Sequence, residues 1–192
     1  MRKKSEDKRI AIVNAVYQIT RTEGISEVSF SKITKLAGVS KGTPYIYFKD
    51  KTDLFSQIYM NVKDLMDEGL GTKLNQYTDL KVKARAMLEH FIGRFSKYPL
   101  EANFMQQIQA NPEFVSQAAL DYADHTSLPV MRLFNDLLEQ HMLVTDDRTI
   151  VSALIFAPVI QVLQVSNNTG VPLTSKQQEV LIDSVMRSIL VD

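Results

Sequence analysis

Residues 31–55 read SKITKLAGVSKGTPYIYFKDKTDLF, two short helical patterns separated by a break. Ser29, just ahead of the stretch, is a suitable N-cap for a helix in which Ile33 and Leu36 face inward. Gly38 ends that helix at a position where a positive φ is cheap. Ser40 can cap a further helix, expected over residues 41–48. Two helices joined by so tight a turn have the anatomy of a helix-turn-helix. In that motif the second helix enters the major groove of DNA N-terminus first, so its first turn must be short and polar. Ser40, Lys41, Gly42 and Thr43 meet this demand with two hydroxyls, one cation and a glycine that permits close approach. Pro44 falls near the end of the first turn, where it removes at most one early helix bond. Tyr45, Tyr47, Lys49 and Lys51 then supply donors for phosphates, and Phe48 is the apolar anchor.

Working outward, residues 8–23 carry Ile12, Val13, Val16 and Ile19 on one helical face, stopped by Gly24. From Thr52, the series Leu54, Phe55, Ile58, Tyr59, Val62, Leu65 and Met66 predicts a longer amphipathic helix reaching Gly69. Beyond it, helices are expected around Val82 to Phe95, after Pro99, and over residues 112–143, where Pro129 kinks or splits the segment. Thr145 is the expected cap of the next helix and Thr174 or Ser175 of the last. Strand-like alternation and internal repeats are absent. The expected architecture is all-α, about nine helices. It comprises an N-terminal three-helix DNA-binding domain of helix-turn-helix type (residues 1–51) and a helical domain (residues 52–192), to which a family resemblance assigns ligand binding and dimerisation.

The 192 residues are 45% hydrophobic and 23% charged, as in ordinary folded proteins. Without cysteine, a disulfide framework and a thiolate metal site are both excluded. The charged start lacks the apolar core of a signal peptide, and the longest apolar run is interrupted by Ser152, Pro158 and Gln161. A cytoplasmic protein with no membrane association is expected. Net charge is zero, but residues 1–53 hold eleven Lys/Arg against six Asp/Glu. That segment is therefore +5 and the remainder −5, so the first piece is the one suited to a polyanion.

The tract AGVSKGT-Y-YF--K--L within this stretch resembles the DNA-binding signature of the TetR family of bacterial transcriptional regulators. The likeness runs from about Lys8 to Phe55; the rest of the chain is similar only in length and helical character. It implies a homodimer on a double-stranded DNA operator, usually a repressor, with a small-molecule pocket in a helical C-terminal domain. By this likeness the DNA contacts fall on Ser40, Lys41, Gly42, Thr43, Tyr45, Tyr47 and Lys51. Ser29, Ser31 and Lys32 at the start of the preceding helix and the basic N-terminal arm join them, and Pro44 and Lys49 complete the candidate set. Three residues depart from the family pattern: Ile46 replaces a frequent aromatic or histidine, Thr34 a small alanine, and Thr20 a core phenylalanine.

Catalytic and metal-dependent readings find less support. The stretch lacks the G-x-x-x-x-G-K-[ST] spacing of a phosphate loop and follows no strand. His90, His125 and His141 have no partners at metal-ligand spacing, and Asp64, Asp67 and Glu68 read as a solvated acidic face. No catalytic residue, metal or cofactor is therefore expected, and the protein is not expected to be an enzyme. The candidate pocket for a small apolar or amphipathic effector is Met66, Phe91, Phe95, Phe104, Met105, Tyr122, Phe134 and Gln161. Residues 149–164 are apolar nearly all round, so that helix must be covered on both sides. With the last helix it offers a two-fold interface of Leu154, Ile155, Val159, Val162, Ile182, Val185, Met186 and Ile189. The alternative is a DNA-binding regulator or nucleoid-associated protein of the same fold without a small-molecule effector.

Overall fold

A computed structural model of the chain describes residues 2–191, with side chains from Glu6 onward. Arg2, Lys3 and Lys4 of the expected basic arm thus have side chains outside the described residues. The helices are α1 (Arg2–Glu23), α2 (Phe30–Ala37), α3 (Lys51–Asp67), α4 (Leu70–Leu74) and α5 (Leu80–Lys97), followed by α6 (Pro99–Ala110), α7 (Gln117–Thr126), α8 (Leu128–Glu139), α9 (Arg148–Thr169) and α10 (Ser175–Ile189). Single 3₁₀ turns form at Ile25–Glu27, Pro44–Ile46 and Pro112–Phe114. Among the described residues no strand forms; one isolated bridge joins Leu143 and Leu190. The fold class is all-α.

The chain divides into two compact units, Met1–Leu65 with Pro99–Thr126, and Met66–Tyr98 with Ser127–Asp192. In the first, α1 packs on α2 and α6. Its core joins Ile12, Val16 and Ile19 of α1 to Ile33, Phe48, Leu54, Phe55, Phe104 and Ile108, all buried. Phe104 lies edge-on to Tyr17 at 5.7 Å and to Phe55 at 5.9 Å, a favoured aromatic geometry. Burial pushes the Tyr17 phenol well above its ordinary value.

Two of the departures noted in the sequence sit in this core. Thr34 is buried and donates its hydroxyl to the Ser31 carbonyl at 3.1 Å. Thr20 is 3% exposed and its Oγ1 finds no partner. A buried hydroxyl without a hydrogen bond is costly, whereas an isosteric methyl is not. Thr20→Val is therefore expected to raise the unfolding free energy by about 1 kcal/mol, read as a higher urea midpoint. A lower midpoint would mean that the hydroxyl is satisfied in solution.

In the second unit α5 packs on α4, α8, α9 and α10. Arg85 of α5 reaches Glu179 and, at 2.7 Å, Asp183 of α10. His90 bonds the Met66 carbonyl at 2.8 Å, and Arg94 donates to the Glu68 carbonyl at 2.8 Å. These two α5 side chains thus satisfy carbonyls at and just beyond the last turn of α3, which a helix end leaves unpaired. Burial lowers the pKa of His90.

Several boundaries differ from those the sequence suggests. Pro129 splits its segment, standing in the first turn of α8 with its ring 3.4 Å from a Cβ built on Gly71. α9 is capped by Asp147, whose carboxylate accepts from Thr149 and Ile150, not by Thr145, whose hydroxyl accepts from the Asp147 amide. Thr174 caps α10 in a reciprocal capping box with Gln177. α9 runs for 22 residues and, by length and composition alone, could cross a membrane, contrary to the shorter run expected. It instead turns Val151, Ile155, Val159 and Leu163, one stripe at a spacing of four, into its own unit.

Candidate nucleic-acid interface

Ser29 caps α2 by accepting from the Lys32 amide, and Gly38 ends α2 with φ of 65°, a left-handed conformation cheap only for glycine. The chain then turns back at Ser40 to Thr43, where the Thr43 amide bonds the Ser40 carbonyl at 2.9 Å. The element that follows is shorter than the helix expected over 41–48. Pro44 has no N–H and sits at the start, and the next bonds close after three residues, Ile46 to Thr43 and Tyr47 to Pro44. One 3₁₀ turn results, fastened below by buried Pro44 and Phe48. Asp50 and Asp53 then start α3, Asp50 accepting from the Asp53 amide and Asp53 from the Lys49 amide. The bond from the Lys49 amide keeps the Asp53 carboxyl below its ordinary pKa.

On this scaffold the expected DNA-contacting residues separate into two groups. Lys41, Gly42, Tyr45 and Lys49 are exposed. Tyr45 is 60% exposed and leans edge-on against Phe30, ring centroids 4.8 Å apart. Ser29, Ser31 and Ser40 are also exposed, and Tyr47 is half-buried. Thr43, however, is only 4% exposed, and its hydroxyl pairs with that of Ser40 at 2.7 Å. Its side chain braces the turn from inside; Pro44 is likewise buried.

Two lysines are engaged within the protein. Lys32 contacts Glu23 at 2.8 Å and Glu27 at 2.7 Å, and the bond to Glu23, then that to Glu27, raises its pKa. Lys51 donates to the Ser26 carbonyl at 3.2 Å, with its ammonium 5.3 Å from the ring centroids of both Phe55 and Phe114. Burial lowers the Lys51 pKa. Lys51→Met is expected to lower stability by about 1–2 kcal/mol through the lost ring contacts, without changing the salt slope of DNA binding. Lys41→Ala should do the reverse, lowering that slope by about one unit at unchanged stability. A slope loss in Lys51→Met would put its ammonium on a phosphate instead.

Sequence reasoning missed Lys35 and Leu36, both exposed on α2, and Phe30, which braces Tyr45; Ile46, noted there as a departure from the family pattern, is exposed in the turn. For Leu36 the apolar spacing pointed inward, yet it is 56% exposed. Among the described residues Lys35, Lys41 and Lys49 form no ion pair.

The candidate pocket residues are divided between the two units. Phe104, Met105 and Tyr122 belong to the first unit, and Met66, Phe91, Phe95, Phe134 and Gln161 to the second. Phe104, Met105, Met66, Phe91 and Phe95 are buried core, while the Tyr122 hydroxyl reaches Asp64 at 2.6 Å at the surface. Gln161 lines an open groove of about 320 Å³ with Val165, Thr169, Val171 and Leu173. Of the candidate interface residues, Ile155, Val159, Ile182, Val185 and Ile189 are buried within their own unit; Leu154, Val162 and Met186 are half-buried. Between residues 150 and 165 the exposed residues of α9 are Ile150, Ala153, Ala157, Gln161, Gln164 and Val165, none of them charged; the exposed Arg148 stands at its start.

Residues 12–58 match the family model described as bacterial regulatory proteins, tetR family. The chain is 36% identical over 58 residues to the HTH-type transcriptional regulator AcrR of Shigella flexneri, covering 30% of this chain and 27% of that protein. It is 29% identical over 90 residues to the fatty acid metabolism regulator protein of Bacillus subtilis, covering 46% of each. The matches thus span less than half the length of these relatives. The fold is shared over 99% of both chains, with a TM-score of 0.83 and 18% identity, with a TetR family transcription regulator from Marinobacter aquaeolei. Residues 12–58 thus carry the DNA-binding domain described for the tetR family of bacterial regulatory proteins, and the whole chain shares its fold with a solved structure from end to end.

Proposed function

We propose that the protein is a ligand-responsive, sequence-specific DNA-binding regulator, a repressor that binds a palindromic operator as a homodimer and acts in the cytoplasm. The observation that carries this is the exposed tip formed by Lys41, Gly42, Tyr45 and Ile46, with Lys49 following it, on the turn that comes after α2. The +5 charge of residues 1–53 gives the same head its attraction for phosphates. On this reading residues 1–51 read DNA, and residues 52–192 hold the effector and the partner subunit. The uncharged outer face of α9 supports a two-fold contact there. Effector binding in the helical part biases a two-state equilibrium in the separation of the two reading heads.

An apolar or amphipathic effector agrees with the name of the relative that regulates fatty acid metabolism. One observation favours the alternative of a regulator without an effector: Phe91 packs against Phe95 and Phe156 as ordinary core. A thermal-shift screen of the full chain against fatty acids and related amphiphiles separates the two. The ligand-responsive reading expects a compound that raises the melting temperature and also releases DNA in a gel shift. Melting and DNA affinity indifferent to the whole panel would leave the effector-free regulator.

A further inference from the structure

Ile46 is 75% exposed, more than any other large apolar side chain among the described residues, and it stands at the tip of the reading head. The other apolar residues of that turn, Pro44 and Phe48, are buried and fix it from below. Its backbone is held by the bond from Ile46 to Thr43, with those of Tyr47 and Phe48 to Pro44 immediately after. Neighbouring Tyr45 is braced on Phe30. A β-branched side chain with few rotamers is thus presented outward on a rigid mount. Of the two hydroxyls at the start of the turn, that of Thr43 is buried and paired with Ser40.

The flanking charges decide what covers this apolar tip. Lys41 and Lys49, which bracket the turn in sequence, are exposed and form no ion pair among the described residues, and residues 1–53 carry a net charge of +5, so the surface is complementary to a polyanion. On the face that base pairs present in the major groove, the apolar group is the thymine 5-methyl. We propose that Ile46 is a specificity-determining residue that packs on thymine methyl groups, so that each operator half-site carries a required thymine. This inference rests on the DNA-binding reading above and adds the base class to it.

The test uses duplexes recovered by the full-length chain from a randomised pool. Each thymine is replaced in turn by deoxyuridine, which lacks the methyl and keeps the hydrogen-bonding edges. A single replacement is expected to weaken wild-type binding about fourfold, the worth of one buried methyl, and one replacement in each half-site about fifteenfold. Ile46→Ala should bind the parent duplex more weakly, with the same melting temperature and salt slope, and be indifferent to that replacement. Ile46→Val should lie between. The inference is overturned if no replacement weakens the wild type, or if Ile46→Ala keeps the wild-type penalty at every thymine. Failure of the wild type to enrich any sequence would instead sink the DNA-binding reading, and the inference with it.

Discussion

Replacing Phe104 by alanine is expected to lower the unfolding free energy by about 3–5 kcal/mol. The side chain is fully buried in the first unit, where its edges meet Tyr17 and Phe55. Removing it deletes the transfer energy of a ring, two aromatic contacts and the packing of α6 on α1, and leaves a cavity that close-packed helices collapse into only in part. A loss of that size is a large share of the stability of an ordinary domain. The expected result is a much lower urea midpoint at an unchanged slope of free energy against urea, with Phe104→Leu retaining most of it. The comparison also separates core from pocket. If Phe104 lined a roomy effector site, its removal would cost less than about 1 kcal/mol and the phenotype would be loss of ligand response.

The second large effect concerns α9 and α10, where two substitutions of like chemistry should act in opposite ways. Val185 is 2% exposed inside the second unit, so Val185→Asp puts an unpaired carboxylate into apolar surroundings. The expected cost, on the order of 3–5 kcal/mol, unfolds that unit rather than dissociating a dimer. Ala157 lies on the outer, uncharged side of α9, so Ala157→Asp should keep the fold and shift sedimentation equilibrium from dimer to monomer mass. A folded monomeric Val185→Asp would move the interface onto α10's inner residues. A dimeric Ala157→Asp would remove it from the outer face of α9.

What was legible in the sequence was what local chemistry decides. Ser29, Gly38 and Thr174 mark helix ends because a hydroxyl cap or a left-handed glycine acts within three residues of itself. Pro129 split its segment for the same kind of reason. Asp147 took the capping role from Thr145 because two suitable oxygens lie within two residues, and spacing does not rank them. The 3₁₀ turn at Pro44–Ile46 replaced an expected helix because glycine and proline weaken a helix too short to be supported by packing along its length.

The candidate site was read less completely, since its residues are sorted by partners distant in sequence. Lys51 looks like any other basic residue of the tract until Ser26 and Phe114 close around it. Lys32 looks free until Glu23 and Glu27 meet it. On α9 the difficulty has a different cause. A helix apolar on every side carries no periodic signal of which face turns inward, so Ile155 and Val159 could not be told from Ala153 and Ala157.

The central claim, a head that reads DNA sequence through the turn at residues 40–47, is tested most directly by fluorescence-anisotropy titration of the full-length protein. The two duplexes are one selected by the protein from a randomised pool and a scrambled copy of it, titrated at fixed salt. The account predicts an inverted repeat, two chains per duplex and an affinity on the order of a thousandfold above that for the scrambled copy. Equal affinity for the two duplexes would contradict it.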